Sequence, residues 1–170
     1  QLPPIGIWKD IRLEGYTTAR LDNIHMRQHH HAGSVAVGAN ITVERWHNTD
    51  LQIALHITHP DGQTQHVETM LPENVNTEAL AVEVTNPQLW WPNGLGKQPL
   101  YQAEVVLSRD GHCLERRVFQ LGLRQLELCQ EPDEWGKTFT FVVNGVPVFV
   151  RGANWIPADS VPTRMTPERY

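Results

Sequence analysis

Alternation constrains this chain more than any other feature. In Val35, Val37, Ala39, Ile41 and Val43 the odd positions are apolar, with Asn40, Thr42 and Glu44 between them. Leu51, Ile53, Leu55 and Ile57 repeat the pattern against Gln52, His56 and Thr58. This period of two marks half-buried strands, because successive side chains of a strand point to opposite faces. Pro60-Asp61-Gly62 supplies a turn, and a weaker strand follows with Val67, Thr69 and Leu71 on one side. Leu80, Val82 and Val84 form another. Tyr101, Ala103, Val105 and Leu107 run into Asp110-Gly111, a two-residue hairpin signal. On the return strand the apolar parity changes near Val118, which predicts a bulge there. With a first strand around Ala19 to Gln28, about seven antiparallel strands are expected between residues 19 and 123, with no helical stripe among them. An all-β, immunoglobulin-like sandwich follows from that count and spacing. The Cys–Trp–Cys arrangement of antibody domains is absent.

Past Gly122 the character changes. Leu126 and Leu128 make a short strand, and Glu131-Pro132-Asp133-Glu134 a polar break. Phe139, Phe141 and Val143 face Val146, Val148 and Val150 across Asn144-Gly145, the strongest hairpin signal in the chain. RGANWIPADS and then Thr166-Pro167-Glu168 come next, and the latter reads as a helix start with Thr as cap and Pro in the first turn. Strand, loop and helix in that order predict the first βα unit of a parallel fold. Ligands meet such folds at the carboxyl ends of the strands.

Charge narrows the partners. Lys appears at positions 9, 97 and 137 alone, and 14 basic against 19 acidic residues leave a net charge of −5. With no basic stripe, nucleic acid is not an expected partner. No apolar run has the length of a membrane span, so no membrane partner is expected either. Cys113 and Cys129 stand alone on separate segments and read as free thiols of a cytoplasmic protein. The opening QLPPIGIWKDIRLEG holds no secretory segment and does not read as a natural start, which points to a piece of a longer protein.

Candidate sites are few. His25, His29 and His31 would share one strand face, but no acidic or thiolate partner completes a ligand set, so no metal or cofactor is expected. Asp10, Glu14, Glu44, Glu83, Glu104 and Glu127 are scattered, and none forms the carboxylate pair an acid/base glycosidase needs. In Asn154-Trp155 the amide can donate to and accept from sugar hydroxyls, and the indole can stack on a pyranose. Equally, Trp155 could pack under a rim and Asn154 close a turn. The loop LWWPNGLGKQPLY, residues 89–101, holds two of the six tryptophans. Trp90 and Trp91 serve either as a binding platform or as anchors that pin the loop to its own domain.

Three segments resemble glycoside hydrolase family 2. GIWKDIRLEGY at 6–16 is similar to the last strand of that family's N-terminal sugar-binding domain. LWWPNGLGKQPLY is similar to its sandwich motif, and FQLGLRQLEL with FVVNGVPVFVRGANWIPADS to the passage into its catalytic (β/α)8 barrel. Trp-Ile-Pro after Asn154 is closer to the family's β-mannosidases than to its β-galactosidases or β-glucuronidases. The resemblance implies a tail of the sugar-binding domain at 1–18, the sandwich at 19–123, and the start of a truncated barrel at 124–170. It implies a retaining hydrolase of terminal non-reducing β-D-mannose residues. Both catalytic glutamates would lie beyond Tyr170 and a Trp-Asp pair before Gln1, so no catalytic residue falls on this chain, which is expected to be inactive alone. Asn154, Trp155 and, more weakly, Asp159 would lie near the sugar. Trp90 and Trp91 become packing anchors. The β-mannoside substrate would belong to the parent alone, and neighbouring domains of the same chain would be the partners. The hairpin at 138–150, without its barrel, would fold back on the sandwich, pair with another chain to form an oligomer, or move. Alternatives are a glycan- or protein-binding sandwich module, or part of a sister exo-β-glucosaminidase.

Overall fold

A computed structural model describes residues 6–7, 9–156, 158–159 and 161–169. Trp8 of the first family-like motif, and Pro157 and Ser160 of GANWIPADS, lie outside the described residues. The chain divides into two compact units, Tyr16–Phe149 on one hand and Gln1–Gly15 with Val150–Tyr170 on the other.

The larger unit is built from strands. β1 (Ala19–His31), β2 (Ser34–Arg45), β3 (Leu51–Thr58), β4 (Thr64–Leu71), β5 (Thr77–Thr85), β6 (Tyr101–Arg109) and β7 (His112–Leu121) form two antiparallel sheets. Their orders are β1-β2-β5 and β4-β3-β6-β7. The alternation is the cause of the layering. Val35, Val37, Ile41, Leu51, Ile53, Leu55, Ile57, Val84, Val105 and Leu107 are each at most 1% exposed and meet in one core drawn from both sheets. Each such aliphatic side chain contributes about 1.5–3 kcal/mol when fully buried. Asp110 (φ 49°) with Gly111 (φ 76°), and Asn144 (φ 51°) with Gly145 (φ 80°), adopt the left-handed pairs that two-residue hairpins require.

Two details depart from the alternation. The bulge on β7 is not near Val118. The β6–β7 register shifts where Leu107 faces Glu115 and Ser108 faces Cys113, which leaves Leu114 as the extra residue. Phe119 and Leu121 pack against the core while Val118 is 51% exposed, so Val118 is an apolar residue of the outer face and not the site of the shift. A second shift, unforeseen in the sequence, skips Asp22 between Leu21 and Asn23 on β1.

Side chains close the sandwich along β1, which is also an edge strand. The Leu21 N–H donates to Glu115 Oε2 at 2.6 Å, the Leu21 carbonyl accepts from Arg117 Nη2, and Arg117 Nε donates to Glu115 Oε1 at 3.0 Å. Further along, Gln28 Nε2 donates to the Gly122 carbonyl at 3.2 Å and Gln28 Oε1 accepts from the Arg124 N–H at 3.1 Å. Each side chain supplies what a paired strand would otherwise supply.

Beyond the sandwich, β8 (Leu126–Cys129), β11 (Thr140–Val143) and β12 (Val146–Val148) form a three-stranded sheet, and β9 (Pro132–Asp133) with β10 (Gly136–Lys137) a short ribbon. The expected βα unit of a barrel is not formed among the described residues. β12 pairs antiparallel with β11 and ends at Val148, not Val150. Residues 149–156 carry no regular structure, and in place of a helix the chain makes two single 3-10 turns, Pro162–Arg164 and Pro167–Arg169. A βα unit packs its helix across two parallel strands, and β12 has only antiparallel company. Single turns of three residues lie below the length at which an α-helix propagates.

Candidate functional site

The double-tryptophan loop leaves β5 at Thr85 and enters β6 at Tyr101. Its path is fixed by backbone groups. Trp90 N–H donates to the Leu123 carbonyl at 2.9 Å, Trp91 N–H to the Lys97 carbonyl at 3.0 Å, and Leu95 N–H to the Pro92 carbonyl at 3.0 Å. Tyr101, 1% exposed, accepts the Gln88 N–H on its phenolic oxygen at 2.8 Å. A tyrosine at the start of a strand thus ties down the corner leading into it. Both indoles are half-buried against glycine backbone. A Cβ placed on Gly122 would stand 2.7 Å from Trp90 Cγ, and one on Gly96 would stand 2.8 Å from Trp91 Cγ. Only glycine allows contacts this close. The Arg124 guanidinium lies 4.8 Å from the Trp90 ring centre, within cation–π range.

Asn144 links this loop to the appended sheet. Its Nδ2 donates to the Trp90 carbonyl at 3.1 Å, its Oδ1 accepts the Gln125 N–H at 2.9 Å, and its own N–H donates to the Gln125 carbonyl at 3.0 Å. Asn144 at the hairpin turn thus holds the Trp90 loop, while Phe139 and Phe149 of the hairpin stay exposed. A cleft of about 480 Å³ opens beside these contacts, with His30, Ser34, Asn86, Gln125 and Asn144 in its wall. His30 shares a 3.3 Å hydrogen bond with Gln28, and burial holds its pKa below the ordinary imidazole value, opposed by a backbone hydrogen bond to Arg124. Of the side chains in the wall, Asn144 spends its amide on the protein's own backbone.

The strand-end candidates sit in the smaller unit. Asn154 and Trp155 are exposed, Trp155 at 68%, on the irregular segment before Pro157. Asp159 is different. Its Oδ1 accepts the Val161 N–H at 2.9 Å, and its Oδ2 lies 3.9 Å from Arg164 Nη1 and 3.6 Å from Arg169 Nη1. That carboxylate organises the two 3-10 turns. Elsewhere Glu14 is paired with Arg12, Glu44 with Arg20 and Glu104 with Arg116. These carboxylates are committed to arginines, a poor arrangement for proton transfer to a substrate. Among the described residues no three His, Cys, Asp or Glu side chains lie together as a metal site.

Sequence reasoning reads Asn144 as a turn residue alone and passes over the contacts of Gln28, Glu115 and Arg117, whose partners lie far off in the chain. It also passed over His56 and His66, which the hairpin brings face to face. That pair was readable, since each stands five residues from Asp61 at the turn.

Fold and contacts together define a two-sheet β-sandwich module that holds its own aromatic loop and an appended small sheet. Relatives say which kind. The family model for glycosyl hydrolases family 2 matches residues 19–124, and the chain belongs to that family. It is 35% identical over 168 residues to β-mannosidase B of Emericella nidulans, covering 97% of this chain and 20% of that protein. The crystal structure of β-D-mannosidase from Dictyoglomus thermophilum superposes with a TM-score of 0.86 at 31% identity, over 96% of this chain and 20% of that one. The exo-chitosanase CsxA of Amycolatopsis orientalis, at 20% identity and a TM-score of 0.64, shares the fold over 86% of this chain and 17% of its own. The chain thus spans about a fifth of the length of the relatives it matches.

Proposed function

We propose that this chain is the bracing, non-catalytic portion of a retaining β-mannosidase that removes terminal non-reducing β-D-mannose residues. The observation that carries the reading is the likeness to the Dictyoglomus thermophilum β-D-mannosidase across nearly the whole chain. In this reading residues 19–123 are an immunoglobulin-like sandwich, which the three-plus-four strand order and the Tyr101 corner support. Residues 1–18 belong to a preceding sugar-binding domain, and 124–170 lead into a (β/α)8 barrel. Leu126, Leu128 and Val146, on one face of the small sheet and 44–56% exposed, suit the apolar seat of such a neighbour. Asn154 and Trp155 would then approach the sugar from the first barrel strand. Asp159 would hold the turns behind them. The unpaired Cys113 and Cys129 suit a reducing compartment, and a cytoplasmic setting is part of the proposal.

The test has two arms. This chain alone leaves p-nitrophenyl β-D-mannoside intact, because hydrolysis with retention needs two positioned carboxyl groups. Turnover that survives repurification and scales with protein overturns the non-catalytic role. A full family-length protein containing this chain cleaves the mannoside in preference to p-nitrophenyl β-D-glucosaminide. The opposite preference overturns the mannoside reading.

A further inference from the structure

His56 on β3 and His66 on β4 stand directly opposite each other in the ladder. Their rings stack with centroids 5.4 Å apart and planes 19° from parallel. Both project from the outer face of the sheet, since the flanking Leu55 and Ile57 are fully buried on the other. The next residue in the row, Glu104 on β6, is in register with His56, but its carboxylate lies 2.9 Å from Arg116 Nε. The row therefore presents two imidazoles beside a carboxylate already neutralised.

The spacing is that of a chelating pair. Two imidazoles that share one tetrahedral ion at about 2.0–2.1 Å each keep their ring centres roughly 5 Å apart. Rotation about Cβ–Cγ turns the ring nitrogens and leaves the ring centres nearly in place, so a shared ion demands side-chain rotation and no movement of strands. We infer that His56 and His66 form an open two-imidazole site for a borderline divalent transition ion such as Zn²⁺, Ni²⁺ or Cu²⁺, with water in the remaining positions. Imidazole nitrogen selects these ions over Mg²⁺ and Ca²⁺, which take oxygen ligands. β4 is the outer strand of its sheet. An ion bound here cross-links that edge to β3 and stabilises the folded state by mass action.

Cu²⁺ added below one equivalent to the untagged chain tests this by paramagnetic broadening of backbone amide signals. Broadening is expected first around residues 56 and 66, with at least a tenfold loss of apparent affinity in both His56→Ala and His66→Ala. Mg²⁺ at the same concentrations leaves the spectrum unchanged. Signal dispersion in each variant's spectrum shows that it is folded, and His66→Gln, on the exposed edge, replaces a variant that is not. Broadening centred instead on His25, His29 and His31 of β1 overturns the inference. So does broadening at 56 and 66 that survives removal of either imidazole.

Discussion

Gly122→Ala drives a methyl group into the Trp90 indole. An ideal Cβ at this position would lie 2.7 Å from Cγ, 2.8 Å from Cδ1 and 3.0 Å from Cβ of Trp90. Gly122 is not among the glycines with positive φ, so backbone strain contributes nothing and the effect is steric. Overpacking of this kind costs about 1–3 kcal/mol. A displaced ring also loosens the Arg124 contact, worth about 0.5–1 kcal/mol at such a site. Together these cost about 1.5–4 kcal/mol, offset by about 0.4–1 kcal/mol because alanine restricts the unfolded chain, so the single variant loses about 1–3 kcal/mol. In a Trp90→Ala background the obstacle is gone, and Gly→Ala there stabilises by about 0.4–1 kcal/mol through the unfolded chain. The same substitution thus changes sign, the unfolded-chain gain cancels between the backgrounds, and the coupling between the two sites is about 1.5–4 kcal/mol. Urea unfolding followed by far-ultraviolet circular dichroism measures all four proteins without relying on tryptophan emission. Equal costs of Gly122→Ala in both backgrounds, within about 0.5 kcal/mol, would refute the packing of Trp90 on Gly122.

Other contacts give shorter predictions. Gln28→Ala removes both hydrogen bonds that join β1 to Gly122 and Arg124, so stability falls by about 1–2 kcal/mol and the Arg124 amide exchanges faster with deuterium. Arg45 donates to Asn76 Oδ1 and to the carbonyls of Thr49, Leu71, Pro72 and Val75. Arg45→Met is therefore expected to lower stability by about 2–4 kcal/mol in calorimetry, and Arg45→Lys to recover little, because an ammonium lacks the planar fork. His30 titrates below its ordinary value in the fold because burial disfavours the charged form. The unfolded chain then binds the proton first as pH falls, so this residue's contribution is full above the ordinary imidazole pKa and is lost as pH drops through the folded one. Urea midpoints of the wild type and His30→Asn converge on acidification if this holds.

The sandwich was legible because its inner faces are buried and its alternation is strict. Val35 to Val43 and Leu51 to Ile57 could be placed on one side of a sheet with no partner known, and both lie in the core. The turns at Asp110-Gly111 and Asn144-Gly145 were legible for another reason: few residue pairs take positive φ twice in succession. β7 was harder. Leu114 packs on the core and Val118, of the same parity, lies on the outer face, so an apolar residue on the solvent side disguises the shift at Leu114. The closures at Leu21 and Gln28 left no local trace, since their partners stand 94 and 96 residues away. Asn154, Trp155 and Asp159 stood out in the sequence as a group, yet the fold uses Asp159 to bind Arg164 and Arg169 and leaves Asn154 and Trp155 exposed. Their chemistry was readable. Their geometry depends on what surrounds the segment, and local pattern does not encode it.

Trp90 and Trp91 are expected to serve this fold and not a sugar. Titration of the chain with mannose, mannobiose and chitobiose, read by intrinsic tryptophan fluorescence, tests it most directly. No saturable change is expected, because each ring is already packed on glycine backbone of the same unit. Saturable quenching that disappears in a folded Trp91→Ala variant would contradict the account and make the loop a binding platform.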